Sequence, residues 1–467
     1  MLMPDGMGES PGADFTSTIH RMNHMKTIAS ALLAACFTMA AMAQVKVPPL
    51  DIKQRKLANG LTVVSLRDNS SPTVAIHVWY NVGSKNDPPG RNGFAHLFEH
   101  IMFKSTKNMK SEQMDRLTED VGGYNNASTW DDFTNYYEVV PSNYLETLLW
   151  AEAERMQNLT VDEANFKSER AVVEEEFRQS YLAQPYGMLY YYMQSLSYAN
   201  HPYKRTTIGT LADLDSATVK DVQDFHTTFY RPDNAYLIVV GDFDQAQFDA
   251  WTDKYFNKVN HPSASIPRVT ETEPARTKEV RYEKTAPNVP FPAVAITYLG
   301  PRSDDKDVPA LKVAEKILSG GESSRLYQAL VYKQQIAQEA SFSVDDRVEG
   351  GTLSFLAVAS EGKTPDVLER SMVAELKKIQ TTGVTTQELA KAKNQLVADA
   401  IRGRENNDGK ATTIERAIAY YHDPNAVNSQ IQHLQAVTAA DVLRVMKKYF
   451  HDNDRVVIYY TNEGGAK

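Results

Sequence analysis

Segments at the two ends of this chain repeat at one fixed spacing, and that repetition limits the fold more than any other feature. The alternating stretch Pro72-Thr73-Val74-Ala75-Ile76-His77-Val78 returns 220 residues later as Pro292-Ala293-Val294-Ala295-Ile296-Thr297-Tyr298. Thr218-Val219-Lys220-Asp221-Val222 is followed by Phe229-Tyr230 and the apolar run Tyr236-Leu237-Ile238-Val239-Val240. It returns at the same spacing as Thr438-Ala439-Ala440-Asp441-Val442, Tyr449-Phe450 and Val456-Val457-Ile458-Tyr459-Tyr460. Equal offsets at both ends of the unit imply two similar domains. Short strands interspersed with long helical segments suit the α+β class: in each domain, a mostly antiparallel sheet covered by helices. Pro262, Pro267 and Pro274 interrupt the pattern, which sets a linker at 261–279 between domains at 44–260 and 280–467.

The chemistry lies in the first domain. His96-Leu97-Phe98-Glu99-His100 puts two histidines at i and i+4, on one helix face. Both imidazoles can then reach one Zn²⁺ at about 2.0–2.1 Å. Glu99 stands close enough to accept a proton from a water on that metal, and the order H-x-x-E-H is the inverzincin signature. A histidine pair on an ordinary helix would read the same way, so a third ligand is needed. Ser168-Glu169-Arg170-Ala171-Val172-Val173-Glu174-Glu175-Glu176-Phe177 offers one. Glu169 and Glu176 are two helical turns apart and share a face with Val172 and Val173, so both carboxylates are expected to point inward. Glu174 and Glu175 are expected to face solvent. An acidic run is usually a solvated face, but inward carboxylates are costly unless paired or metal-bound. Glu176 is therefore the expected ligand, and Glu169 its partner in the catalytic centre, steadying a ligand histidine or Arg170. With the metal polarising a carbonyl and Glu99 carrying the proton to the leaving amine, the parts make metal-assisted amide hydrolysis.

These residues resemble the M16 metallopeptidases, the pitrilysin, insulin-degrading and mitochondrial-processing family. The resemblance rests on Gly93-Phe94-Ala95-His96 through Thr106, Gly122-Gly123-Tyr124-Asn125-Asn126-Ala127-Ser128-Thr129, Asn135-Tyr136-Tyr137, and Glu169-Arg170 leading to Glu176. It implies a LuxS/MPP-like fold, one Zn²⁺ held by His96, His100 and Glu176, and Glu99 as the base. Asn126, Ala127, Ser128 and Thr129 fall where the family has a strand edge that takes the substrate peptide as an added strand. Alone, such Gly-Gly and Asn-Asn pairs would read as a turn.

The second domain departs from that pattern. At the 220-residue spacing the zinc pentapeptide becomes Lys316-Ile317-Leu318-Ser319-Gly320, so no second site is expected. Gly320-Gly321-Glu322-Ser323-Ser324-Arg325-Leu326 matches the family's helix opening. Many members then carry, on the next helical segment, an arginine and a tyrosine seven residues apart that help bind substrate. Those positions are Val331 and Gln338 here; Arg325 and Tyr332 have the same spacing out of register. The resemblance therefore implies a catalytic subunit that pairs with a homologous, metal-free subunit supplying the arginine and tyrosine, with a homodimer as the alternative. The expected activity is endopeptidase action on peptides or unfolded segments within a closed chamber. The competing function, a non-catalytic assembly subunit of an envelope complex, fits poorly with an intact zinc motif.

Net charge −9 gives no footing for nucleic acid or an anionic membrane surface. No mature stretch is long and apolar enough to span a bilayer. Met25-Lys26, the apolar Ile28 to Ala40 and Ala41-Met42-Ala43 before Gln44 form a secretory leader with cleavage near Ala43, behind an upstream extension within 1–43. The address is the bacterial periplasm. Cys36, the only cysteine, also sits in a lipobox-like Leu33-Ala34-Ala35-Cys36, which makes a lipoprotein the minor alternative. His77, His226 and His201-Pro202-Tyr203 read as structural, Tyr190-Tyr191-Tyr192 with Met188 and Met193 as helix packing. Trp130-Asp131-Asp132 borders the presumed substrate strand.

Overall fold

A computed structural model describes residues 47–464; the leader, Ala43 and Cys36 lie outside the described residues. Strands β1 (Lys53–Lys56), β2 (Thr62–Arg67), β3 (Thr73–Tyr80), β4 (Tyr124–Thr129), β5 (Thr134–Pro141) and β6 (Ala235–Gly241) form one sheet in the order β1-β2-β6-β3-β5-β4. Strands β7 (Val280–Ala286), β8 (Ala293–Leu299), β9 (Ala337–Asp345), β10 (Thr352–Ala359) and β11 (Arg455–Asn462) form the other, in the order β7-β11-β8-β10-β9. Dropping β1, the two orders coincide strand for strand. Each sheet has one parallel pair, β2 with β6 and β7 with β11; the rest are antiparallel. The α+β reading of two similar sheet-and-helix halves is what the structure has. Between Phe256 and Val280 there is no helix or strand, and we propose the 261–279 linker there.

Local chemistry explains the repeat. Thr218 and Thr438 each accept a hydrogen bond from the backbone of the aspartate three residues on, and that aspartate reaches back to the threonine N–H. Each pair is a capping box, which fixes where the helices Val219–Phe229 and Ala439–Tyr449 begin.

Strand β3 is buried almost throughout, so its sheet has to be covered on both faces. On the inner face Ile76, Val78 and Tyr80 pack against Phe94, Leu97, Phe98 and Ile101 and the helices behind them. The outer face is covered by a helix from the other half. Ala411, Ile414 and Ile418 of the helix Asn407–Tyr421 pack on Val64, Ala75, Trp79 and Val240. Reciprocally, Leu189 of the helix Gly187–Ser195, with Met188, Tyr192 and Met193, packs on Ala293, Ala295, Leu356 and Ile458 of the second sheet. The exchange locks the halves together, since neither sheet could leave that face in water. His77 lies under this exchange. Its Nδ1 is 2.9 Å from Glu415 and its Nε2 3.0 Å from Asp408, both on the crossing helix. Burial opposes a charge on this ring, but the two carboxylates outweigh it and lift its pKa to about 9.

Candidate metal centre

The motif helix, Phe94–Ile101, is placed by the backbone before it. Gly93 has φ 96°, and a Cβ there would lie 2.5 Å from the Ile208 carbonyl oxygen, so glycine is required. The Asp87 carboxylate accepts from the N–H groups of Gly93 (2.7 Å) and Ala95 (2.9 Å), which does the work of an N-cap from upstream. With Leu97, Phe98 and Ile101 buried in the inner core, His96 and His100 turn to the opposite side. There they line a cavity of about 460 Å³ with Glu99, Glu176, Thr207 and the edge of β4.

The acidic helix, Glu163–Phe177, is capped by Asp162 and buries Phe166, Glu169, Val173 and Phe177. Glu176 Oε2 lies 3.5 Å from His100 Nε2 and 3.8 Å from His96 Nε2. The three candidate ligand atoms are within 4.8 Å of one another, somewhat wider than the roughly 3.4 Å that tetrahedral 2.0–2.1 Å bonds imply. Glu176 Oε2 is a buried oxygen with no hydrogen-bond partner among the described residues, although it faces two nitrogen bases. A carboxylate oxygen set between two imidazoles, at ion-pair distance from both and hydrogen-bonded to neither, is an arrangement a bound cation would satisfy, so the donor set fits a metal. It is the single cluster of that kind among the described residues, and the second half has none.

The surrounding groups differ between the two histidines. His100 Nδ1 faces Glu169 at 3.7 Å, and Lys104 Nζ holds the other oxygen of that carboxylate at 2.9 Å. His96 Nδ1 is buried and has no hydrogen-bond partner among the described residues. Burial, helped by the positive charge on His100, lowers the His96 pKa to about 4. Burial acts the same way on His100, but Glu169 and Glu176 outweigh it and raise that pKa to about 9. Glu99 has its pKa raised by burial against the opposing Thr129 hydroxyl, which donates to Oε2 at 2.5 Å.

Among the described residues strand β4 pairs on one side only, with β5, and its other edge borders the cavity. Ala127 N–H on that edge is taken by the neighbouring Asn126 side-chain oxygen at 2.8 Å, an acceptor standing where an added strand would offer a carbonyl. Asn126, Ala127, Ser128 and Thr129 thus all lie beside the histidines and Glu176.

Some expectations need correcting. Val172 does not point inward; it is 47% exposed, because it lies a further part-turn round the helix than Val173, which is fully buried. Glu174 is largely covered rather than solvated, set between Arg170 and Arg178. Val331 and Gln338 do not share a helix. Val331 lies in the wide helical turn Tyr327–Lys333, and Gln338 on β9, because the chain breaks at Gln335 with φ 51°. Arg325 is held by Glu388 at 2.6 Å, and Tyr332 is exposed. His226 stacks on Phe98 with centroids 5.5 Å apart, and His201 Nε2 lies 2.9 Å from Glu349, contacts in keeping with the structural reading of both. Sequence reading missed Asp87, Lys104 and Thr207. Lys104 stood within the quoted motif; the other two carry no local signal, since the chain brings them in from outside the helices they serve.

Comparison with known proteins agrees with this geometry. The family described as Insulinase (Peptidase family M16) matches residues 62–211, and Peptidase M16 inactive domain matches residues 216–396. The zinc protease PqqE of Helicobacter pylori is 33% identical over 86% of this chain and 91% of its own length. The crystal structure of a protease from Helicobacter pylori superposes with TM-score 0.85 at 31% identity, covering 89% of this chain and all of that one. The periplasmic protease PqqL from Escherichia coli shares the fold with TM-score 0.74 at 18% identity over 90% of this chain, which spans 49% of that one.

Proposed function

Because the chain belongs to the M16 peptidase family, we propose that it is a zinc endopeptidase and that His96, His100 and Glu176 are its metal ligands. The observation that carries this reading is the convergence of Glu176 Oε2 with both Nε2 atoms, within 4.8 Å of one another and without a hydrogen bond at Oε2, with Glu99 one residue before His100. Zinc, when bound there, would polarise a peptide carbonyl and acidify water. The protein's own residues do the rest. Thr129 fixes Glu99 by its bond to Oε2, which leaves Oε1 to take the proton of the attacking water and return it to the departing amine. Burial raises the affinity of Glu99 for that proton, against the opposing Thr129 hydrogen bond. Glu169 acts as a positioning residue: anchored by Lys104, it faces the outer nitrogen of His100 and orients the ring. The substrate lies as an added strand along β4, with its backbone displacing the Asn126 side chain from Ala127 N–H.

The active unit is a pair of chains. Val331 packs against the second core and Gln338 donates to the Ala359 carbonyl, so neither offers the cation or phenol that many relatives supply. A homologous metal-free subunit would bring them, and the leader before Gln44 would place the pair in the periplasm. Hydrolysis of quenched fluorescent peptides by the chain from Gln44, with and without chelator and beside Glu99→Gln, tests the reading. Chelator-sensitive cleavage lost in the variant supports it, whereas cleavage indifferent to both refutes it. Full activity from this chain alone would rule out the obligate partner and leave the zinc chemistry standing.

A further inference from the structure

Along β4 the side chains alternate. Asn125 bonds Thr118, Ala127 enters the inner core and Thr129 reaches Glu99, all on the metal side. Tyr124 and Ser128 face the other way, toward the helix exchanged from the second half. A peptide added along the free edge alternates in the same manner, so every second side chain is carried away from the metal. On that far side lies another cavity, of about 190 Å³. Ser128, Asn135 and Tyr137 form its floor, Trp130 a wall, and Arg416 and Tyr420 of the exchanged helix its roof.

The charges in this cavity are unequally engaged. Asp408 and Glu415 are both committed to His77, and they also accept from Tyr124 (3.2 Å) and Asn135 (3.0 Å) respectively. Asp346, the carboxylate that feels Arg416 from the neighbouring loop, is held by Lys312 at 3.0 Å. Arg416 itself makes no hydrogen bond and no ion pair among the described residues, and it is exposed. Trp130 is 45% exposed beside it. An uncommitted guanidinium over a polar floor, with an indole alongside, suits a carboxylate on a short apolar stem. The planar fork of arginine binds such a group through two parallel bonds, and the stem can lie on the ring.

We propose that this cavity is a side-chain subsite built jointly by the two halves, and that it selects a glutamate or aspartate at a peptide position pointing away from the metal. This rests on the peptide-strand reading above. A basic side chain would meet carboxylates already satisfied by His77, and an apolar one would leave Arg416 without a partner.

The test is peptide binding, measured by fluorescence anisotropy on the zinc-loaded Glu99→Gln chain so that nothing is cleaved. Otherwise identical peptides carry Glu, Gln or Lys at each position in turn. One position should favour Glu over Gln by about tenfold, the scale of a charge-assisted hydrogen bond. Adding Arg416→Gln should bring that ratio to about one, and Arg416→Glu should turn the preference to Lys. Tight binding with no acidic preference, or a preference that survives Arg416→Gln, overturns the subsite while leaving the peptide strand in place. Failure of every peptide to bind overturns the strand reading, and the subsite with it.

Discussion

In both halves of the molecule a carboxylate on one helix faces a nitrogen on another, and the identity of that nitrogen separates a metal centre from a closed ion pair. Glu176 stands fourteen residues after its helix cap, Asp162, and faces His96 at 3.8 Å. Asp399 stands fourteen residues after its own cap, Thr385, and faces Lys316, 220 residues beyond His96, at 2.9 Å. An imidazole keeps a lone pair for a metal, whereas an ammonium has three donors and none. Seven residues after the caps the contrast repeats: Glu169 is 5% exposed, and its counterpart Ala392 is 2% exposed and apolar. One scaffold therefore carries either a set of metal donors beside a cavity or a partly exposed ion pair.

That contrast gives the largest expected effect. His96→Lys gives the first half the second half's contact, so zinc content should fall from one per chain towards zero and peptide hydrolysis by at least about 10³-fold. Mass spectrometry of the native protein and a fluorogenic assay check this, while the melting temperature of the metal-free protein should stay close to the parent's. A variant that still holds zinc would mean that His96 is no ligand. Glu99→Gln is next: a loss of about 10²–10⁴ in kcat with zinc content retained, as befits a base that binds no metal. Thr129→Val removes one hydrogen bond to the Glu99 carboxylate and should lower kcat/KM about 10-fold, with peptide affinity changed much less.

The exchanged helices offer a second contrast. His77 lies under one of them between two carboxylates. The Thr297 hydroxyl, 220 residues later, pairs among the described residues with the Ser197 hydroxyl, at 2.6 Å, just beyond the other. The His77 pKa of about 9 in the folded chain exceeds the usual 6.5. Its contribution is therefore complete below pH 6.5 and fades as pH rises through about 9. His77→Gln should cost roughly 3 kcal/mol at pH 6, progressively less as pH rises from 6.5 to about 9, and little of that charge contribution should remain above it, read from urea midpoints of variant and parent. Thr297→Ala should cost about 1 kcal/mol at either pH. A pH-independent His77 variant would break the contrast.

Local pattern made much of this legible. Strand alternation and the capping aspartates are written over a few residues, so the duplication was readable as equal spacing in the chain. The His96, Glu99 and His100 arrangement is one turn of helix, and the Glu169 and Glu176 pair is two turns; helical period alone sets their faces. The sequence by itself determined the class of fold, the repeat and the identity of the groups around the site. Tertiary structure decided what each group meets. Gln338 moved from a helix to a strand edge because the chain breaks at Gln335. The exchange of helices placed Asp408, Glu415 and Arg416 beside β4 from about 280 residues away. Such contacts leave no mark on local periodicity, because they exist only once two buried sheet faces have each been covered by the other half's helix.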